Sequence, residues 1–447
     1  MPAIRPYSVV TSVPPPLPAT RLRRRGAQRR IVVLLVSLIL FPVGVVIGAL
    51  LWPDSNPPDD SSHLPAWEDR LEDNPLSQFE KIISHRLPAK ADPRLKAVLA
   101  EDGWDSVQAK ELLEEHREVL EEFDVLAANF DSTWQWQARH SMAHMDHAAP
   151  HLSFFTNTIV PLVRIRSQYY AQTEEWELCR DSIISLLEVS HGMTRAKGSL
   201  IYYMTALTAY RSSLRSLRFL KDSTNSDFSD EIWQPLIEVL VNTEPKTEDL
   251  RFTFKVEYLT ILNTIDEVKS GHFDQKDDAV DQAIRFKGFL KKNRTARFYL
   301  EMTTPIDNAL ESRWSAIPPA LKVSNNQIES KRSNPLKFFV SDNAVGRILV
   351  TILLPVHNKV TERSVETVAY SRCWAWFLTE IQTGPSKLSR PDQKKFIATP
   401  IDPFTGSPLI VNKEERVIYS VGSDLEDNGG RIDQTRSVGD RDIGVSW

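Results

Sequence analysis

Residues 104–130, WDSVQAKELLEEHREVLEEFDVLAANF, decide the fold class. Apolar Val107, Leu112, Leu113, Val119, Leu120, Phe123 and Leu126 recur at helical spacing, with Glu and Lys between them. Such a stripe must be buried against another element, so the segment predicts an amphipathic helix packed on neighbours. The same period fits 151–172, 175–194, 198–221, 229–242, 247–270 and 277–291. Short polar breaks separate these segments, such as Asp222-Ser223-Thr224-Asn225 and Thr243-Glu244-Pro245. Little strand-like alternation precedes Asp402. The expectation is a mainly α body, an array or irregular bundle of helices, followed by a small β module.

Pro318-Pro319 and Ser324-Asn325-Asn326-Gln327 predict a break, so a first helical domain is read over 67–323. A second helical block is read over 334–390, with helices at Arg347–Lys359 and Glu362–Thr383. The β module is read over 391–447. No repeat of about 34 residues recurs. On the N-terminal side, Asp92-Pro93 offers a helix cap and a first-turn proline. Residues 53–66, rich in Asp, Ser, Asn and Pro, read as a linker.

Ile31–Trp52 is a stretch of 22 residues without a charge, long enough to cross a bilayer as a helix. Arg21, Arg23, Arg24, Arg25, Arg29 and Arg30 precede it; Asp54, Asp59 and Asp60 follow it. The positive-inside bias puts residues 1–30, a disordered basic tail, in the cytoplasm and the rest outside. The apolar run is longer than a cleaved signal peptide uses, so an uncleaved anchor is expected. Gly44 and Gly48 form a GxxxG in the span, which permits a dimer but is also ordinary membrane-helix composition.

The 447 residues carry a net charge of -5, which implies no general affinity for polyanions. Nucleic acid is not an expected partner. Cys179 and Cys373 form no CxxC, which excludes a disulfide scaffold and a zinc ribbon. They read as small buried apolar residues, or as one bridge. Neither a GxxxxGK[ST] phosphate loop nor a G-x-S-x-G elbow occurs. Trp134 and Trp136 read as core anchors rather than a stacking platform. Arg211, Arg215 and Arg218 read as a solvated helical face.

Asp402-Pro403-Phe404-Thr405-Gly406, Tyr419-Ser420-Val421-Gly422 and Asp442-Ile443-Gly444 with terminal Trp447 follow a helix at Tyr370–Leu378 and a turn at Gly384-Pro385-Ser386-Lys387-Leu388. In this order residues 365–447 resemble the C-terminal segment of the major pseudopilins of bacterial type II secretion. The external part as a whole loosely resembles uncharacterised membrane-anchored helical proteins of planctomycete and verrucomicrobial type. The pseudopilin resemblance implies an antiparallel hairpin module and one calcium ion held in an acidic loop. It also implies a bacterial inner-membrane protein with its bulk outside the cytoplasm. The chain departs from that family in two ways. The span does not run directly into the pilin-like helix, and no pilin processing motif precedes it.

Asp424, Glu426, Asp427, Asp433, Asp440 and Asp442 crowd the segment from Ser423 to Asp442. So many carboxylates repel one another without a cation, and calcium takes oxygen ligands. By the resemblance, Asp424 and Asp442 fall on the family's calcium aspartates, with Asp440 beside the latter. Asp427 lies in the loop without a clean counterpart. The other reading is a solvated loop paired with Arg431, Arg436 and Arg441.

His140, His144 and His147, with His151 beyond, are spaced to share one helical face and hold zinc or a similar metal. Pro150 ends that face before His151. The other reading is a set of histidines at a helix junction. Two functions follow. The first is an extracytoplasmic scaffold or partner-binding protein, linked to a secretion or pilus-like machine, with a calcium-stabilised tail. The second is a metal-dependent hydrolase using His140–His151.

Overall fold

A computed structural model describes residues 53–65, 92–100, 103–128, 149–195, 198–222, 230–270, 290–332, 343–387, 399–432 and 442–446. Several expectations fall outside these residues: the basic tail, the span at 31–52 with Gly44 and Gly48, most of the helix at 277–291, Trp134 and Trp136. So do His140, His144, His147, Asp433, Asp440, Arg436 and Arg441. No helix among the described residues is long and apolar enough to cross a membrane.

The chain is mainly helical, with one small sheet at its C-terminal end. Helix α1 spans Pro93–Val98, α2 Ser106–Glu115 and α3 Arg117–Ala128. Asp92 caps α1 through the Arg94 amide, and Asp105 caps α2 through Val107 and Gln108. The decisive stripe therefore folds as two helices broken at His116. Helix α4, Ala149–Phe154, passes through a π-helical stretch at Phe155–Ile159 into α5, Val160–Gln172. Pro161, in the first turn of α5, has no amide to bond the preceding turn, which accommodates the wider stretch. Then come α6 Trp176–Arg195, α7 Leu200–Asp222, α8 Asp230–Asn242, α9 Thr247–Ser270, α10 Lys292–Ser312 and α11 Ile317–Arg332. The bounds of α6, α7, α8 and α9 lie close to those read from periodicity; those of α10 and α11 were not read.

Helix α12, Ala344–Lys387, is the spine of the fold, at 44 residues. Its first third packs with α9, α10 and α11 around Tyr258, Ile265, Tyr299, Val350 and Leu354. Its middle packs Val360, Val365 and Val368 against Tyr203, Leu250, Leu310 and Trp314. Its last third packs Cys373, Trp374 and Phe377 against α6, α7 and α8 and against the sheet. A further core, around Leu112, Phe123, Ile159 and Leu162, joins α1 to α5 with α6 and α7.

Three readings are corrected here. The polar run Ser324–Gln327 does not break the chain, because α11 continues to Arg332. Arg347–Lys359 and Glu362–Thr383 are one helix. Both errors have one cause, since the two polar runs meet. Asn358 donates to Ser324 Oγ at 3.2 Å and to Asn325 Oδ1 at 2.7 Å. Thr361 and Ser364 donate to the carbonyls of His357 and Val360 in the preceding turn. Buried polar residues that satisfy one another this way look like loop in a sequence and pack like core. The third correction is the linker, which is hydrogen-bonded along its length to α9 and α10 (below).

Cys179 and Cys373 are both buried free thiols in one core cluster. Burial pushes the Cys179 thiol up to about 12 and the Cys373 thiol higher still. They pack as small apolar side chains.

Candidate functional site

The sheet is an antiparallel meander of β1 Ile410–Asn412, β2 Val417–Ser420 and β3 Ile443–Ser446, with β2 central. Ile418 pairs with Val411 on one side and Val445 on the other, and these three face α12. The alternate residue, Tyr419, stands on the opposite face. The corner before β1 is built on Asp402, which is 3% exposed. Its Oδ1 accepts from the Phe404 amide and the Ser420 hydroxyl, both at 2.8 Å. The carboxylate thus ties the turn to the central strand, which explains an Asp at the head of the Asp402–Gly406 element.

The acidic loop folds back over the Tyr419 face. Gly430 has φ +77°, and a Cβ there would come within 2.8 Å of Val417 Cγ1 and 3.0 Å of Tyr419 Cε1. Only glycine lets the loop lie so close to the sheet. Tyr419 donates its hydroxyl to Asp427 Oδ1 at 2.9 Å, and the same oxygen accepts from the Gly429 amide at 2.9 Å. Asp442, 3% exposed, accepts from the Gly430 amide at 2.7 Å and the Asn428 amide at 3.3 Å. Asp424 accepts from the Glu426 amide at 3.1 Å and from Asn428 Nδ2 at 3.4 Å.

Asp424, Asp427 and Asp442 therefore flank the Asn428–Gly430 turn, with carboxylate oxygens that do not all lie within 4.8 Å of one another. The electrostatics follow. Burial pushes the Asp442 carboxyl above its ordinary range; the Gly430 and Asn428 amides oppose this, and the charges of Asp427 and Asp424 add to it. Tyr419 is pushed up to about 12 by burial and by the Asp427 carboxylate that accepts its hydrogen bond. Among the described residues no ion pair joins Arg431 to these carboxylates.

The donors are all oxygens, the ligand type calcium requires. The spacing is that of an open loop. Among the described residues the one trio of His, Cys, Asp or Glu with ligand atoms within 4.8 Å of one another is Asp92, Glu115 and His116. That trio already holds a cation. Arg94 lies between its carboxylates, with Nη2 at 2.6 Å from both Asp92 Oδ2 and Glu115 Oε2. A guanidinium in that place leaves no demand for a metal.

A second polar region lies under the turn joining α8 to α9. His191 Nδ1, Ser199 Oγ and Asp249 Oδ2 are buried without a protein hydrogen-bond partner, and Tyr203 Oη faces Ser364 beside them. Groups of this kind are met by internal water. Burial holds His191 down to about 4 and raises Asp249 to about 6, with Arg195 and Lys246 acting on both. The same turn, Glu244–Glu248, lines a cleft of about 340 Å³ with Arg313, Trp314 and Ser315, Arg372, and the corner Ile401–Pro403. Arg372 holds that seam closed through Glu244, at 2.7 and 2.9 Å, and the Ile401 carbonyl at 2.6 Å. Sequence reasoning missed this polar cluster. Its members are scattered over α6, the start of α7 and α9, and no spacing rule joins them.

Of the predicted basic face, Arg211 is paired with Glu366 of α12 at 2.7 Å, and burial lowers Arg215. It is an inter-helix contact rather than a solvated face. Pro150 and His151 occupy the first turn of α4. Comparison with protein-family models, with curated proteins and with solved structures finds no match.

Proposed function

We propose that the chain is a membrane-anchored, extracytoplasmic scaffold or partner-binding protein. Its C-terminal β module acts as a cap closed by calcium. One observation carries the reading: Asp424, Asp427 and buried Asp442 converge on a single glycine turn, and the Asp442 carboxyl is raised by its burial and its neighbours. A divalent cation relieves that repulsion and draws an open loop closed. Asp424, Asp427 and Asp442 would hold it, with Asp440 from the sequence and backbone carbonyls completing the oxygen set. The link to a secretion or pilus-like machine is supported by the order of parts. A long helix is followed by an antiparallel meander on its C-terminal third and by an acidic, Gly-containing loop over the outer face. Residues 31–52 supply the anchor, placed by the flanking charges.

Elemental analysis of the purified full chain tests this reading against the hydrolase. A scaffold of this kind retains calcium and no stoichiometric zinc. Zinc near one per chain, lost on replacing His144 and His147, supports the hydrolase and overturns the scaffold reading.

A further inference from the structure

The segment after the sequence-predicted span is bonded to one end of the helical body. Lys291, at the N-cap of α10, has no side chain that can cap. Asp54 supplies the cap from far away in sequence, accepting from the amides of Asn293 at 2.9 Å and Arg294 at 3.3 Å. Asn293 Nδ2 donates to the Ser55 carbonyl at 2.6 Å, Arg294 to Pro53 at 3.4 Å and Arg297 to Asn56 at 3.2 Å. Further on, Tyr258 donates to Asp60 at 2.6 Å, and His63 reaches Asp307 at 3.7 Å. Pro53, the residue that follows the predicted span in sequence, is thus held at the start of α10.

Other elements meet at this end. α9 runs antiparallel to α10: Arg251 pairs with Asp307, and Lys292 pairs with Asp266. The last turn of α9, with exposed Lys269, therefore lies beside the start of α10. Asn343, just before α12, accepts from the Lys291 amide at 2.9 Å, so α12 starts here too. Arg347 lies over the Phe298 ring at 5.6 Å. This end thus gathers Lys269, Lys291, Lys292, Arg294, Arg297 and Arg347. Asp266 is taken by Lys292 and Asp54 by the cap, and no acid among the described residues pairs with Lys291, Arg297 or Arg347.

We propose that this end of the body is a membrane-contact surface that binds anionic phospholipid headgroups through Lys269, Lys291 and Arg297. The proposal rests on the reading of 31–52 as a span. Basic groups held at a bilayer surface attract anionic lipid, and a strap fixed by hydrogen bonds keeps them there where a flexible linker would not. The β module sits at the far end of α12 from this surface. Cys373 and Phe377, which support the sheet, lie about 45 Å along α12 from Ala344 at 1.5 Å per residue.

The test uses the full chain in lipid nanodiscs, either purely zwitterionic or containing phosphatidylglycerol. Amine labelling of Lys269 and Lys291 is read by mass spectrometry, with Lys413 in the β1–β2 turn as internal reference. The expected result is slowing of both by about threefold or more in the anionic discs relative to Lys413. Asp54→Ala, which frees the strap, should remove most of that slowing while the chain stays in the disc. Equal labelling in the two lipids, in a chain retained by the discs, overturns the lipid contact and leaves the anchor standing. A chain that elutes apart from both discs overturns the anchor and the lipid contact together.

Discussion

The strap at 53–64 and the acidic loop at 423–432 look alike in composition and behave differently. Both are short, polar and rich in Asp, and Ser, Asn, Pro or Gly fill the gaps. In the strap, Asp54 and Asp60 take donors from α10 and α9, more than 190 residues away in sequence. In the loop, Asp424 takes donors only from the loop itself, and Asp427 from the loop and Tyr419. A polar segment becomes structure when its carboxylates find fixed donors elsewhere. Carboxylates that take donors only from their own turn and its neighbours do not tie the segment to the rest of the fold. Composition does not distinguish the two cases; the identity of the partner does.

His191 and Asp249, under the α8–α9 turn, sharpen this comparison with the largest expected effect, because burial shifts both carboxyl and imidazole far from their ordinary range. Asp249 is raised from 3.8 to about 6, so it favours folding while protonated, and that stability is lost as pH rises from about 4 to about 6. His191 is lowered from 6.5 to about 4, so its contribution runs the other way, and stability rises with pH between those values. Each amounts to roughly 3 kcal/mol, and the two oppose each other in the same window. Asp249→Asn should leave a stability curve that climbs between pH 4.5 and 6.5, relative to the wild type. His191→Gln should leave one that falls. Urea denaturation at several pH values measures this, and parallel curves for all three proteins contradict it.

Asp54→Ala removes a helix cap and should cost about 1–2 kcal/mol, with faster amide exchange at Asn293 and Arg294. Asp424→Ala, measured in chelator, should change stability by no more than about 0.5 kcal/mol or raise it slightly, because it removes repulsion. If the two substitutions cost the same, the strap and the loop are not different kinds of segment. The smallest effect concerns pH and the loop. Asp442 is held above its ordinary range, so without calcium the β module should lose stability as pH rises from the usual carboxylate range. Calcium should flatten that slope.

The helices were legible because 3.6-residue periodicity needs only local sequence. The segments 175–194, 229–242 and 247–270 differ from α6, α8 and α9 by a residue or less at each end. What failed was every inference that polar means exposed. Ser324, Asn358 and Thr361 are buried. Ser324 and Asn358 meet across α11 and α12, a pairing that sequence spacing does not encode. The strap failed for the same reason, since Asp54 reads as solvated until α10 is placed beside it. The site was partly legible. Asp424, Asp427 and Asp442 were singled out from carboxylate crowding and from the pseudopilin resemblance, and each accepts hydrogen bonds from the 426–430 stretch. The roles of Tyr419 as a prop for the loop and of Asp402 as a corner staple were not recognised. Both depend on which face of β2 each residue takes.

Hydrogen exchange of the full chain, in calcium and in chelator, tests the central claim most directly. Calcium bound only to the folded module stabilises it by about 2.7 kcal/mol at a hundredfold excess over its dissociation constant. Amides of Asp427–Gly430 and of β2 and β3 should therefore exchange about a hundredfold more slowly with calcium. Those of the strap and of α10 should not change, and Asp442→Ala should abolish the difference. Equal protection of the loop in both conditions would contradict the account and leave the loop a solvated turn held by its own amides.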